Sequence, residues 1–245
     1  MKYIYRAYQI IICLPLFLLT TLATAIITTV GCALGAPKTF GYYPGRWWSK
    51  ITIRSLLLPI KVEGRENLQQ GQSYVFVANH QGMFDIFVIY GYLGRNFKWL
   101  MKQSLRKIPF VGTACAYAQH IYVDKSGPSK VKQTYDRARN ILKGGMSVVV
   151  FPEGTRTKTG SLNPFQRGAF MLADELQLPI VPLTINGSFR VMSRQNDGRF
   201  VTWHPLRLTI HKPIMPISQG ADNVKHAMQT SYEAIKSTVI DESKQ

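Results

Sequence analysis

Two short polar runs in this sequence carry side chains that could perform acid–base chemistry and bind a phosphate. The first contains His80 and, five residues later, Asp85, directly after the apolar residues 74–78. On one continuous helix such residues would point about 140° apart, because an α-helix has ~3.6 residues per turn. The two side chains can meet only across a turn, which Gly82 permits. They would then form a general base and the carboxylate that orients it.

The second polar run follows another apolar segment, residues 147–151. It contains Glu153, Gly154, Thr155 and Arg156, which offer a carboxylate, exposed backbone amides, a hydroxyl and a guanidinium in a small volume. The planar guanidinium suits phosphate because it donates two hydrogen bonds to adjacent oxygens. Taken alone, each run is equally compatible with a structural ion pair or a surface turn, so their meaning depends on the rest of the chain.

Four motifs follow one another along the chain. They are N-H-x-x-x-x-D from Asn79 to Asp85, K-x-x-L-x-x-x-P-F-x-G from Lys102 to Gly112, F-P-E-G-T-R from Phe151 to Arg156, and Leu178-Pro179-Ile180-Val181-Pro182. These motifs resemble those of the glycerolipid acyltransferase family, which includes bacterial 1-acylglycerol-3-phosphate acyltransferases and has V-P-I-V-P at the fourth. They occur in the family's order, and the resemblance covers approximately residues 61–216.

This resemblance implies a direct acyl transfer from acyl-CoA or acyl carrier protein to the sn-2 hydroxyl of 1-acylglycerol-3-phosphate, which gives phosphatidic acid. In the family, the histidine deprotonates the acceptor hydroxyl and the aspartate orients it, so these roles fall to His80 and Asp85. Binding of the acceptor's glycerol phosphate falls to Glu153, Gly154 and Arg156, with Thr155 beside them. No cofactor is expected besides the donor thioester.

Two phosphate-side positions depart from the family pattern. Lys125 stands where an arginine is usual, and lysine keeps the charge but loses the bidentate fork. In the run Phe165-Gln166-Arg167-Gly168 the cation is shifted by one residue. We expect Lys125 and Arg167 to bind substrate, while another lysolipid acceptor, such as a lyso-aminolipid, stays an alternative.

Other candidate residues receive no catalytic role. His120 and Asp124 share one face of a predicted strand, but no turn folds one onto the other, so we expect His120 to be structural. The three cysteines form no C-x-x-C pair, and no cluster has a recognisable metal-ligand spacing. Neither a metal site nor a disulfide framework is predicted.

The sequence pattern around these residues predicts an α/β domain that positions them. Short β-rich runs at 74–78, 120–123, 147–151, 180–185 and 206–211 alternate with helical patterns at 84–92, 129–143, 168–176 and 223–239. Such alternation predicts a sheet covered by helices. The continuously apolar runs predict that most of the sheet is buried on both faces.

An apolar segment precedes this domain. Residues 7–37 carry no charge and are long enough to cross or deeply enter a bilayer. A cleaved signal peptide is disfavoured, because the apolar run continues past Ala23-Thr24-Ala25. Next, Arg46, Lys50 and Arg54 share one face of a predicted helix, as in an interfacial amphipathic helix or, alternatively, an ordinary core helix. We therefore divide the chain into a membrane-anchoring helical segment, 1–60, and a catalytic domain, 61–245; the sequence leaves open a single span or a monotopic hairpin.

The amino-acid composition limits the kinds of binding partner that the protein can have. A formal net charge of +17 over 245 residues favours a polyanionic partner. Because the apolar residues are concentrated at the N-terminus, we expect membrane lipid and a lysophospholipid substrate, not nucleic acid, with acyl carrier protein as a further partner if it is the donor. Thioester carriers are cytosolic, so the catalytic domain should face the cytoplasm from the membrane, which is the inner membrane in a bacterium. A non-catalytic, basic, membrane-tethered binding module is the alternative from another functional class.

Overall fold

A computed structural model of the chain describes residues 2–123, 127–142, 145–195 and 200–242. Within these residues seven strands form a sheet in the order β1-β7-β6-β2-β5-β3-β4. The strands are β1 (Ile60–Glu63), β2 (Val75–Ala78), β3 (Phe97–Lys102), β4 (Ile121–Val123), β5 (Ser147–Val150), β6 (Ile180–Asn186) and β7 (Leu206–Ile210). Neighbouring strands pair in parallel except β6 with β7. The result is a mixed α/β sheet.

Helices cover both faces of this sheet. They are α1 (Lys2–Tyr8), α2 (Leu14–Ala33), α3 (Pro37–Phe40), α4 (Tyr43–Ser55), α5 (Phe84–Tyr92), α6 (Val111–Tyr117), α7 (Pro128–Leu142), α8 (Gly168–Leu176), α9 (Ser188–Met192) and α10 (Ala221–Lys236), with a π-helical turn at Gln9–Cys13 and 3-10 helices at Arg65–Asn67 and Gln103–Lys107.

The central strands are buried on both faces because they are apolar on both faces. In β2, Val75 and Val77 pack into a cluster with α7, α8 and α10, whereas Phe76 and Ala78 pack into a cluster with α4 and α5. All four residues are fully buried. The predicted fold class, a mostly buried sheet covered by helices, is confirmed.

All nine predicted elements occur, with their ends moved by at most three residues. Residue 143, the predicted end of one helix, lies outside the described residues. The sequence analysis missed β1, β3, α6 and α9. In β3 the reason is Lys98, a residue that normally marks a solvated position. Here it is buried, and its ammonium donates to the carbonyl oxygens of Ala118 at 2.7 Å and Pro37 at 3.3 Å.

The N-terminal helices run continuously from Lys2 to Ala33, and this helix is long and apolar enough to cross a membrane. Most of its large apolar side chains are exposed, which is consistent with membrane association. The segment is also tied to the α/β domain. Gln9 donates from its amide to the Val201 carbonyl at 2.8 Å and accepts from the Val201 N–H at 2.9 Å. Helix α4 packs on α5.

Candidate active site

The polar runs meet at one edge of the sheet because their strands are parallel neighbours. Val77 of β2 lies opposite Val150 of β5, so the residues that follow both strands emerge at the same carboxyl edge. This edge is where ligands bind in open α/β sheets. The structure therefore brings together the two segments that the sequence singled out.

His80 and Asp85 are in direct contact. Nδ1 of His80 lies 2.8 Å from Oδ2 of Asp85, and because a carboxylate only accepts, Nδ1 carries the proton and Nε2 is left as the basic nitrogen. The same Oδ2 accepts from the backbone N–H groups of Gln81 at 2.7 Å and Gly82 at 2.9 Å. Asp85 is fully buried, whereas the His80 side chain is 15% exposed. The pair has the geometry of a general base held by its orienting carboxylate.

Gly82 allows this contact for a reason that the sequence did not suggest. Its φ is not in the left-handed region, so the backbone conformation of the turn does not by itself require a glycine at this position. Instead, a Cβ at Gly82 would lie 2.4 Å from the carbonyl oxygen of Ser188 in α9. The glycine is needed because α9 packs directly on the turn.

Glu153 holds the main chain of the same segment. Its Oε1 accepts from the His80 N–H at 2.6 Å and its Oε2 from the Asn163 N–H at 2.9 Å. Burial raises the pKa of Glu153 to about 7, while these two hydrogen bonds act in the opposite direction. In this geometry Glu153 positions His80; its contact with the acceptor stays a prediction.

The rest of the second run lies beside His80. The Thr157 N–H donates to the His80 carbonyl at 2.8 Å, which places Arg156 one residue from this contact. Arg156 is half-buried and Thr155 is exposed. Gly154 has a φ of +73°, and a Cβ there would lie 2.7 Å from Nε2 of Gln166. This approach brings the 165–168 segment, with the exposed Arg167, next to the loop.

Lys125 lies outside the described residues, so its predicted contact with substrate stays a prediction. The structure places the other residues of the predicted site, which are Glu153, Gly154, Thr155, Arg156 and Arg167, on loops at the carboxyl edge.

An aromatic stack fixes the imidazole from one side, and sequence reasoning missed it. The rings of His80 and Phe151 lie parallel with centroids 3.9 Å apart, and Trp99 stacks on Phe151 at 5.7 Å. The stack limits rotation of His80 about its side-chain bonds. Phe151 opens the F-P-E-G-T-R motif, which was the available signal, whereas nothing in the local pattern pointed to Trp99.

His120 is structural in its contacts. It is buried, and its Nδ1 accepts from the Trp99 N–H at 3.3 Å. Burial lowers the pKa of His120 to about 3, so its ring is neutral at physiological pH. Among the described residues, no group of three or more His, Cys, Asp or Glu side chains is arranged to hold a metal ion.

Comparison with known proteins identifies the class. The family model described as Acyltransferase matches residues 59–186. A 1-acyl-sn-glycerol-3-phosphate acyltransferase from Brassica napus is 32% identical over 178 residues, which are 72% of this chain and 51% of that protein. The alpha form of the same enzyme from Ovis aries is 31% identical over 199 residues, 75% of this chain and 69% of that protein. The chain thus spans about half the length of the plant relative.

A solved structure shares the whole fold. The crystal structure of the 1-acyl-sn-glycerophosphate (LPA) acyltransferase PlsC from Thermotoga maritima superposes with a TM-score of 0.67 at 25% identity, over 93% of this chain and 96% of that chain. The α/β sheet that carries His80 and Asp85 at its carboxyl edge is therefore of the type found in a solved acyltransferase. The chain belongs to the Acyltransferase family, as its motifs predicted.

Proposed function

We propose that the protein transfers a fatty acyl group from acyl-CoA or acyl carrier protein to the sn-2 hydroxyl of 1-acylglycerol-3-phosphate, which yields phosphatidic acid. The observation that carries the proposal is the 2.8 Å contact between His80 and the fully buried Asp85. The activity of the relatives from Brassica napus and Ovis aries, and that of PlsC from Thermotoga maritima, supports the choice of acceptor.

The proposed reaction needs no covalent enzyme intermediate. Nε2 of His80 takes the proton of the acceptor hydroxyl while its oxygen attacks the thioester carbonyl. Asp85 stabilises the imidazolium that forms. The tetrahedral intermediate collapses, the carbon–sulfur bond breaks, and the thiolate leaves and receives the proton from His80. The products are the ester and the free thiol.

Arg156 is the proposed contact for the acceptor phosphate. It is half-buried at the carboxyl edge and, among the described residues, forms no ion pair with a carboxylate. Glu153, Gly154, Thr155, Arg167 and Lys125 complete the proposed substrate-binding set. The proposed setting is a membrane surface, the inner membrane in a bacterium, with the catalytic domain on the cytoplasmic side where thioester donors occur.

The proposal is tested by acyl transfer from both donor types to a panel of acceptors, with the purified full-length chain. The panel contains 1-acylglycerol-3-phosphate, glycerol 3-phosphate, a neutral lysolipid and a lyso-aminolipid. We expect 1-acylglycerol-3-phosphate to have the highest kcat/KM. Preference for another lysolipid would identify that lysolipid as the acceptor. Absence of transfer to every acceptor would favour the alternative of a non-catalytic binding module.

Arg156→Ala separates phosphate recognition from folding. A hydrogen bond to a charged group contributes about 1.5–3 kcal/mol, so the variant should lose roughly 10–150-fold in kcat/KM with 1-acylglycerol-3-phosphate. A neutral acceptor should lose much less. If both acceptors lose activity equally, Arg156 supports the fold and does not contact the phosphate.

A further inference from the structure

Four basic side chains form a patch outside the proposed active site, which we call the basic patch. It consists of Arg46, Lys50 and Arg54 on one face of α4, and Arg65 in the 3-10 helix that follows β1. Burial and the charges of the three arginines lower the pKa of Lys50. Among the described residues, none of the four forms an ion pair with a carboxylate. The patch therefore concentrates positive charge with no internal counter-ion.

Two buried polar atoms beside the patch have no hydrogen-bond partner among the described residues. They are the hydroxyl of Tyr42 and Nε of Arg46. Tyr42 is only 2% exposed. Its hydroxyl lies close enough to Arg46 and Arg65 to be influenced by their charges. A buried donor without an acceptor is unfavourable, and an anion bound at the patch would provide the acceptor for both atoms.

An apolar groove of about 340 Å³ runs along the same helix, between α2 and α4. Tyr43, Trp47 and Ile51 line it from α4. This stripe is offset from the basic residues of α4 by ~60° around the helix axis, given ~3.6 residues per turn. Lys50 lies between the two surfaces, because its ammonium is 5.3 Å from the centre of the Trp47 ring. A ligand that fits both surfaces carries an anionic group and an apolar chain.

We propose that the basic patch binds the phosphate of an anionic membrane phospholipid, whose acyl chain lies along the groove between α2 and α4. A nucleic acid or a free phosphate would use the charges but not the apolar groove. The site is separate from the active site. Arg65 donates to the carbonyl of Tyr92 at 2.6 Å, at the end of α5, whereas Asp85 lies in its first turn, ~10 Å away along the axis at 1.5 Å per residue.

The proposal is tested by lipid binding to the purified, delipidated full-length chain in a neutral detergent. The probes are phosphatidylglycerol, phosphatidylcholine and inorganic phosphate. We expect phosphatidylglycerol to bind at least about tenfold more tightly than phosphatidylcholine, since each basic residue at an anionic surface contributes about fivefold. Millimolar inorganic phosphate should not displace the lipid. Displacement by phosphate would mean a plain anion site, and equal binding of both lipids would leave only the apolar groove; either result overturns the proposal.

Charge-matched variants locate the effect. The variant with Lys50→Gln, Arg54→Gln and Arg65→Gln should lose most of the preference for phosphatidylglycerol. The control with Lys130→Gln, Lys225→Gln and Lys236→Gln removes the same charge from exposed positions elsewhere and should keep it. Equal losses in the two variants would assign the preference to net charge and overturn the site.

Tyr42→Phe tests the buried hydroxyl, because the phenylalanine keeps the ring stacked on Tyr90. Without lipid, the variant should be at least as thermally stable as the wild type, while its affinity for phosphatidylglycerol should fall several-fold. An unchanged affinity would remove Tyr42 from the site. His80→Ala should leave lipid binding intact, so failure of this proposal is distinguishable from failure of the proposed acyl transfer.

Discussion

Asp85 serves His80 in two ways, through one oxygen. Its Oδ2 accepts the imidazole proton and also two backbone N–H groups of the turn between them. The carboxylate therefore fixes the tautomer of the base and, at the same time, the shape of the segment that carries it. Because the carboxylate lies at the start of α5, the helix N-terminus favours its negative charge.

Glu153 gives a residue-scale prediction about pH. Burial raises its pKa from the ordinary value of 4.5 to about 7 in the folded protein. The protonated carboxyl therefore stabilises the fold fully below pH 4.5, and this stabilisation is lost as the pH rises to about 7. Glu153→Gln has no such titration. The stability of the wild type relative to this variant should fall between pH 4.5 and 7, by up to about 3 kcal/mol.

Unfolding of the two proteins followed at several pH values measures this difference. The variant Glu66→Gln, at an exposed position, should differ from the wild type by an amount that changes little over the same range. A stability difference between the wild type and Glu153→Gln that does not depend on pH would show that the Glu153 carboxyl is not buried.

Among the structural elements, the residues that follow α10 contact the loop that carries His80. We call residues 238–242 the C-terminal strap. The Ile240 carbonyl accepts from the side-chain amide of Gln81 at 3.3 Å, directly beside His80. Glu242 accepts from Nε of Arg190 at 2.6 Å, and Ser161 donates to Asp241 at 2.9 Å. The strap thus connects α9 and the 157–161 loop to the segment that carries the base.

A substitution that weakens the strap should lower activity by more than the accompanying loss of stability can explain. Glu242→Ala removes the buried acceptor of Arg190, which we expect to cost about 1–3 kcal/mol of stability. Because the strap supports Gln81, kcat/KM should fall several-fold even well below the melting temperature. Glu233→Ala, on the exposed face of α10, is the matched control. If both variants keep wild-type kcat/KM, the strap has no part in positioning His80.

The part of the site that could be predicted from sequence depends on short-range geometry. The contact between His80 and Asp85 could be predicted because the two residues are only five positions apart and a turn lies between them. By contrast, the hydrogen bond from the His80 N–H to Glu153 and the one from the Gln81 amide to the Ile240 carbonyl join residues 73 and 159 positions apart. Periodicity carries no information on such pairs. Strand β3 could not be predicted for the same reason, because buried Lys98 donates hydrogen bonds to carbonyl groups of distant segments.

In the molecule as a whole, the N-terminal helical segment and the α/β domain pack together as one unit. Cys13, Tyr42 and Ile53 belong to the same apolar cluster as Phe76 and Phe87. Composition predicts a division at residue 60, but it cannot show which faces of the apolar segment the α/β domain covers. Its reading as a membrane anchor remains a prediction about function.

That prediction is tested by fractionation. Because most large apolar side chains of the helix from Lys2 to Ala33 are exposed, the protein should stay in the membrane fraction after a high-salt wash. Its N-terminus should be intact by mass spectrometry. Recovery of a soluble chain that begins near Ile26 would instead mean that the segment is a cleaved signal.

The most direct test of the proposed mechanism is the rate of acyl transfer by His80→Ala, with folding and membrane association verified. General-base catalysis contributes ~10²–10⁴-fold, so kcat should fall by at least ~10². Asp85→Asn should be severely impaired as well, and the double variant should be little worse than His80→Ala, because the two residues act as a unit. His120→Ala, checked for folding, is the matched control and should retain its activity. Near wild-type transfer by folded His80→Ala would contradict the assignment of the base and, with it, the proposed mechanism.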